Sequence, residues 1–385
     1  MMEREHAVAG LSVAATSDAD SRLDALALAC VKGVGPVAFR QRLLASGDAR
    51  AALEASTTAP SRDAARAQAE RLLDACRARG VDVVVSTEAR YPQRLRHLED
   101  APSVLFALGS LASCEGPSVA LVGSRRATAY GRRVARGLAA ALAHAGVCVV
   151  SGLAAGIDAE SHTGCLDGDG RTVAVLGTGV DVPYPRGNAP LHAAVAKRGL
   201  VLSELPPGRG AHAGAFPRRN RLIAALADVV VVVEAGTKSG ALITAQAGFA
   251  LGRMVGAVPG PVDVDTSRGA NLLLRDGAHV IASVEDVLGL LALAPRGAGE
   301  ASAPTADAPR RSLGPASDDA APDSSEGRLL AILSHGPQLA DDLVRAAGLS
   351  PREVGAAIAT LTLAGAVRMD AAGLVERLAW SARPS

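Results

Sequence analysis

From residue 81 onward, short apolar runs recur at intervals along the chain. V-D-V-V-V-S (81–86) and S-V-L-F-A-L-G (103–109) come first. Runs of the same kind follow at 119–123, 147–152, 172–177, 200–204, 229–234, 255–260 and 279–283. Each is strand-sized and rich in Val, Ile or Leu, with Gly, Pro or polar residues at its ends. Helix-like stretches separate most of them, among them Gly131–Ala145 and Gly240–Leu251. Continuously apolar strands alternating with amphipathic helices predict a parallel sheet covered on both faces. The fold class is therefore α/β, with a doubly wound Rossmann-like domain over 81–290.

The flanks follow other patterns. Residues 1–20 are small and mixed and predict a disordered tail. Residues 21–80 are rich in Ala and Leu with scattered charge, and predict a small helical domain. Within it V-K-G-V-G-P-V-A-F-R-Q-R-L (31–43) places Gly33, Gly35 and Pro36 at a tight turn between two helices. That is a helix-hairpin-helix pattern, whose turn amides can face a phosphate; it also fits a packing module that touches no nucleic acid. Residues 291–325 carry Pro295, Pro304, Pro309, Pro315 and Pro322 among Ala, Ser, Gly and Asp, and predict a flexible linker. Over 326–385, three helical stretches precede a hairpin, the order of a winged helix. Its third helix, P-R-E-V-G-A-A-I-A-T-L-T-L-A-G, offers Arg352 beside Glu353 and then small or apolar residues. Too few cations reach out to read duplex DNA, so a protein surface is the expected partner.

Composition narrows the function. Aromatic residues are 2% of the 385, which excludes a broad base-stacking platform. Net charge is +1, so any nucleic-acid site needs local positive charge. The five cysteines form no C-x-x-C and have no zinc spacing to histidine, which fits a reducing cytoplasm. No apolar run is long enough to span a membrane and no signal peptide is evident.

In an open parallel sheet, ligands sit beyond the carboxyl ends of the strands. The first such loop, G-S-R-R-A-T-A-Y-G (123–131), leads from a strand into a helix. Gly123 permits close backbone approach, Ser124 and Thr128 offer hydroxyls, and Arg125 can fork onto a phosphate. The spacings of a dinucleotide fingerprint and of a P-loop are both missing. The second loop, S-G-L-A-A-G-I-D-A-E-S-H (151–162), begins with Ser151 and Gly152. Asp158 and His162 lie one helical turn apart within it. With no nucleophile beside them, a structural role is preferred over acid–base chemistry, and the same holds for Ser203–Glu204. In F-P-R-R-N-R-L-I-A (216–224), arginines lead a helix behind Phe216, a ring able to stack on a base; a solvated charged face is the plainer alternative. E-A-G-T-K-S-G-A-L-I-T-A (234–245) brings Lys238, Ser239 and Gly240. Over 118–286 there are 17 Lys and Arg against 13 Asp and Glu, and 118–150 holds five arginines and no acid. If the loops share one sheet edge, that edge is a track for a phosphate chain.

Taken together, these loops resemble the DNA processing protein A family (DprA, also called Smf). The matching segments are V-G-S-R-x-A-T-x-Y-G (122–131), S-G-L-A-x-G-I-D-A-x-S-H (151–162), R-T-V-A-V-L-G-x-G-V-D-x-x-Y-P (171–185), S-E (203–204), F-P-R-R-N-R-x-I (216–223), E-A-x-x-x-S-G-A-L-I-T-A (234–245) and V-P-G (258–260), with Y-P-x-x-L (91–95) upstream. The resemblance covers about 90–285 densely. It implies a non-enzymatic, single-stranded DNA-binding protein of natural transformation, without cofactor, metal or catalytic residue. Such a protein protects incoming strands, helps load the RecA recombinase and forms a homodimer through its sheet domain. It also implies a sterile-alpha-motif-like or helix-hairpin-helix domain in front and a winged helix behind. The family's basic groove residues correspond here to Arg125, Arg171 and Lys238, and its F-P-x-R-N-R motif to Phe216, Arg218, Asn220 and Arg221. Position 171 is Arg where Lys is frequent. The alternative is a nucleotide-processing enzyme similar to the lysine-decarboxylase-like phosphoribohydrolases. That family carries P-G-G-x-G-T-x-x-E, whereas E-A-G-T-K-S-G here lacks both the leading P-G-G and the trailing Glu. A purely structural adaptor acting through the winged helix is a third reading.

Overall fold

A computed structural model describes residues 19–294, 324–334, 336–363, 366–369 and 374–377. The expected tail before Ala19 and most of the linker lie outside the described residues. The chain divides into two compact units, 1–301 and 302–385.

The first unit opens with α1 (Ala19–Cys30), α2 (Pro36–Ser46), α3 (Ala49–Ser56) and α4 (Ala59–Arg77). Gly33 takes a positive φ between α1 and α2, and Pro36 starts α2, where its missing N–H costs nothing. Strands β1 (Asp82–Val85) and β2 (Val104–Gly109) follow. Then the alternation begins with β3 (Ser118–Gly123), α5 (Ala129–His144), β4 (Cys148–Ser151), α6 (Ile157–Asp167), β5 (Thr172–Leu176), α7 (Ala189–Arg198) and β6 (Leu200–Ser203). It continues with α8 (Ala215–Leu226), β7 (Val229–Glu234), α9 (Gly240–Ala250), β8 (Met254–Ala257), α10 (Asp265–Arg275), β9 (His279–Val280) and α11 (Val284–Leu293).

All nine strands join one sheet in the order β1-β2-β6-β5-β4-β3-β7-β8-β9. From β6 to β9 every pairing is parallel, as the helix between successive strands requires. The doubly wound parallel core expected from the alternation is thus present, with an antiparallel edge added to it. β1 pairs antiparallel with β2, and β2 antiparallel with β6. Residues 86–103 between β1 and β2 hold only a short 3-10 turn, so no helical crossover returns the chain to run parallel.

Alternation at period two sends successive side chains to opposite faces. Ala120, Val122, Val230 and Val232 share a core with Tyr91, Leu95 and helices α8, α9 and α10. Val119, Leu121, Val229 and Val231 pack with α5 and α11 on the opposite face. Toward the β1 end of the sheet, Val83, Val85, Phe106 and Val201 share one core with Leu26, Leu28, Phe39 and Leu53 of the front helices. Tyr91 is buried, donating its hydroxyl to the Pro102 carbonyl at 2.9 Å, and Arg94 grips Asp228 at 3.0 and 3.2 Å.

The second unit contains α12 (Ser325–Leu333), β10 (Gln338–Leu339), α13 (Ala340–Ala347), α14 (Pro351–Leu363), β11 (Val367–Met369) and β12 (Leu374–Arg377). Its strands pair in the order β10-β12-β11, so the wing expected as a hairpin gains a third, short strand. Leu329, Leu343, Val354, Ile358 and Val375 form its core.

Helices α5 and α6 pack unusually closely at Gly164, where a Cβ would run into the carbonyl oxygen of Arg136. Helix propensity alone favours Ala there by about 1 kcal/mol. The clash reverses the sign, so Gly164→Ala is expected to lower stability by about 1–3 kcal/mol, read from denaturant unfolding.

Candidate nucleic-acid interface

Strand order reverses direction at β3. The chain runs outward through β4, β5 and β6, then crosses back to place β7 on the other side of β3. Loops leaving β3 and β7 therefore part, and a crevice opens between them at the carboxyl edge. A groove of about 1160 Å³ occupies this position. The β3–β7 register shifts between Val122 and Gly123, so Gly123 pairs with Glu234 at the groove's origin.

The loop after β3 supplies Ser124, Arg125 and Arg126 to the lining. Ser124 is fixed by its backbone: its N–H donates to the Glu234 carbonyl at 2.6 Å and its carbonyl accepts from Ile157. Gly123 also lines the groove, and it must be Gly because a Cβ would meet Ile157 and the Glu234 carbonyl. The loop after β7 brings Lys238, Ser239 and Gly240. Ser239 caps α9, accepting from Ala241 N at 3.3 Å, and Lys238 stands exposed. Lining cations Arg125, Arg126, Arg219, Lys238 and Arg268 outnumber the lining carboxylates Asp158 and Asp265.

Helix α8 crosses the groove floor. Phe216, Arg219, Asn220 and Ile223 lie at helical spacings of three, four and seven, and all four line it. Arg219 is 5% exposed. Its guanidinium donates to the Gly152 carbonyl at 2.6 Å, to the Val175 carbonyl, and through Nε to Asn220 Oδ1 at 3.2 Å. Asn220 then donates to the Gly240 carbonyl at 3.0 Å, tying α8 to the start of α9. Burial pushes the Arg219 guanidinium down to about 10, against the pull of Asp158 and with the push of Arg125, so it stays charged near neutrality. Arg125 lies over the Phe216 ring, 5.0 Å from its centroid, and Tyr184 comes within 5.2 Å of it.

Several predicted residues lie elsewhere. Arg171 precedes β5 and so sits at the amino edge of the sheet, opposite the groove. Its guanidinium binds the carbonyls of Ala112, Glu115 and Gly146 at 2.9–3.3 Å. Thr128 caps α5 by accepting from Gly131 N, and its one hydroxyl hydrogen goes to Glu234 Oε2 at 2.6 Å, leaving none for a phosphate. Ser151 is buried and donates to the Leu121 carbonyl at 2.6 Å. Gly152 is outside the lining and is needed as Gly, because a Cβ would overlap the Arg219 guanidinium. Arg218 and Arg221 point off the groove face of α8. Both pair with Glu204, at 3.1 and 2.7 Å, and Arg221 also reaches Asp100. Within F-P-R-R-N-R, the arginine that enters the groove is therefore Arg219 and not Arg218. Helical spacing from Phe216 marks that position. Arg126 belongs to the first loop, while Arg268 carries no motif.

Asp158 and His162 do not form an acid–base pair. Asp158 accepts from Ala154 N at 3.3 Å, and burial raises its carboxyl above the usual range while Arg219 pulls it back. His162 is 0% exposed. Thr172 donates its hydroxyl hydrogen to the Val149 carbonyl, so the 2.7 Å contact between Thr172 Oγ1 and His162 Nδ1 requires the hydrogen on Nδ1. Ser203 donates to the Thr178 carbonyl at 2.6 Å.

Comparison with known proteins bears on the family and the fold. Residues 82–292 match the family described as DNA recombination-mediator protein A, and 314–373 match the DprA winged helix domain. A putative DNA processing protein DprA of Mycobacterium tuberculosis is 40% identical over 274 residues, spanning 71% of this chain and 68% of that protein. The X-ray structure of DprA from Streptococcus pneumoniae superimposes with a TM-score of 0.61 at 31% identity, covering 70% of this chain and 95% of that one. DNA processing protein A from Helicobacter pylori, solved for its single-stranded DNA binding mode, gives 0.51 at 29% identity over 55% and 96%. No helix among the described residues is long and apolar enough to cross a membrane.

Burial pushes the His162 imidazole down to about 3, with Arg219's charge adding to the effect. The unfolded chain takes up a proton below about pH 6.5 that the folded chain refuses. Stability is therefore lost as pH falls from 6.5 toward 3. Between pH 7 and pH 5 the native chain is expected to lose about 2 kcal/mol more than His162→Gln. Urea unfolding followed by circular dichroism at both values measures it.

Proposed function

The chain belongs to the DNA recombination-mediator protein A (DprA/Smf) family, and from that premise we propose that it binds single-stranded DNA along the carboxyl-edge groove. The observation that carries this reading is a groove lined by cations with few carboxylates, placed where the strand order reverses. Arg125, Arg126 and Lys238 reach the phosphates, each contact releasing counterions. Ser124 offers its hydroxyl, and the N-terminus of α9 adds fixed partial positive charge along the same edge. Gly123, Ser239 and Gly240 let the backbone come close. Arg219 and Asn220 hold the floor in place from beneath.

On this reading the protein protects an incoming strand and presents it for loading of the RecA recombinase, acting in natural transformation as a cytoplasmic homodimer built on the sheet domain. Support for this fuller role comes from family membership. Asp158 and His162 are both buried, and the Thr172 hydroxyl beside His162 spends its hydrogen on the Val149 carbonyl, which favours binding over catalysis. The winged helix then serves as an adaptor toward protein, since the α14 sequence carries one cation, Arg352, next to Glu353, too few to grip duplex DNA.

Arg125→Ala is expected to weaken binding of a single-stranded oligonucleotide about ten- to hundredfold, the worth of one charge-assisted phosphate bond. Arg171→Ala, at the opposite sheet edge, leaves affinity near that of the native chain. Fluorescence anisotropy over a salt series reads both. The log–log slope should be about −0.7 per phosphate neutralised and should shrink for Arg125→Ala alone. Equal losses in the two variants would remove the groove assignment.

A further inference from the structure

We propose that Tyr184 is the surface on which the groove stacks an unpaired nucleobase, and that this ring separates single strands from duplex. The inference rests on the single-strand reading above and deepens it. Of the chain's few aromatic side chains, Phe216 and Tyr184 are the two among the described residues that line the groove. Phe216 is already engaged. The Arg125 guanidinium lies over it, Tyr184 approaches at 5.2 Å with a 37° tilt, and Gly177 abuts its edge, where an added Cβ would be 3.1 Å from Cδ1. Little ring face is left for a ligand. Tyr184, on the loop after β5, is 39% exposed. It is braced against Phe216 and open toward the groove.

The chemistry separates two kinds of contact. Arg125, Arg126 and Lys238 meet phosphates, which single and double strands both carry. A ring accepts a base only when that base is free of its own stack. Base–aromatic stacking is also indifferent to sequence, since every base presents a π-face. One exposed ring among phosphate-binding cations thus gives strand-state discrimination without sequence preference. Phe216 is then a positioning residue that holds both Arg125 and Tyr184.

The test compares an oligo-dT strand with an abasic strand of the same length, which keeps the phosphodiesters and lacks the bases. Binding of the full chain is measured for the native protein, Tyr184→Leu and Tyr184→Phe. The native chain is expected to prefer oligo-dT by about tenfold or more. Tyr184→Leu loses most of that preference while its affinity for the abasic strand and its salt slope stay native. Tyr184→Phe keeps the preference. Phe216→Leu weakens both strands, because Arg125 loses its support along with the ring. A native preference retained in Tyr184→Leu overturns the proposal. So does a native chain that binds both strands equally, although single-strand binding itself then stands. A native chain that binds neither strand removes the proposed function and the inference together.

Discussion

A guanidinium withdrawn from water must be met by acceptors on several sides, and Arg219 meets them just beyond β4, within β5 and on its own helix α8. Its donors go to the carbonyl of Gly152 beyond β4, to that of Val175 within β5 and to the side chain of Asn220 on α8. Leaving such a charge buried and unpaired costs several kcal/mol. The three elements are thereby held in one arrangement. Gly152 has to be glycine for the guanidinium to fit, and Asn220 passes the constraint on to the first turn of α9. The floor is thus fixed before any ligand arrives, so groove geometry need not be formed at the expense of binding.

A second polar link closes the crevice at its origin. Glu234, buried at the end of β7, receives the Thr128 hydroxyl and amide from the loop after β3. In the same place the Glu234 carbonyl receives the Ser124 amide. Loops on either side of the switch point are therefore joined at their bases, while their tips face solvent. The tips carry Arg125, Arg126 and Lys238, exposed to solvent. Cations on a rigid base lose less entropy when they order against phosphate than cations on a mobile loop would.

Strand positions were legible in the sequence because runs such as Val229–Val233 admit no other reading between glycine- and proline-bearing loops. The helix pair around Gly33 and Pro36, and the three helices of the last unit, were legible for the same reason. Direction was not. Periodicity carries no sign, so nothing in 81–109 distinguished two antiparallel strands from parallel ones. Within the site, loops were easier to recognise than side-chain directions. Thr128 and Ser151 have the right chemistry for a phosphate, yet each spends its hydrogen on a neighbouring strand. Arg171 has the right charge, but it lies before its strand rather than after it. Arg218, Arg219 and Arg221 are alike as letters, and the 100° turn between successive helical residues sends only Arg219 inward.

The central claim is that a DNA strand lies along the carboxyl edge of the parallel strands, and photocrosslinking locates it most directly. A single-stranded oligonucleotide carrying 5-bromodeoxyuridine is bound to the full chain, irradiated and digested, and the attached peptides are sequenced by mass spectrometry. The account predicts attachment within 123–130, 177–188, 211–220 and 236–240, the loops and first helical turns around the groove. Attachment concentrated around Arg171, on the front helices at 19–77, or on the winged helix would contradict it.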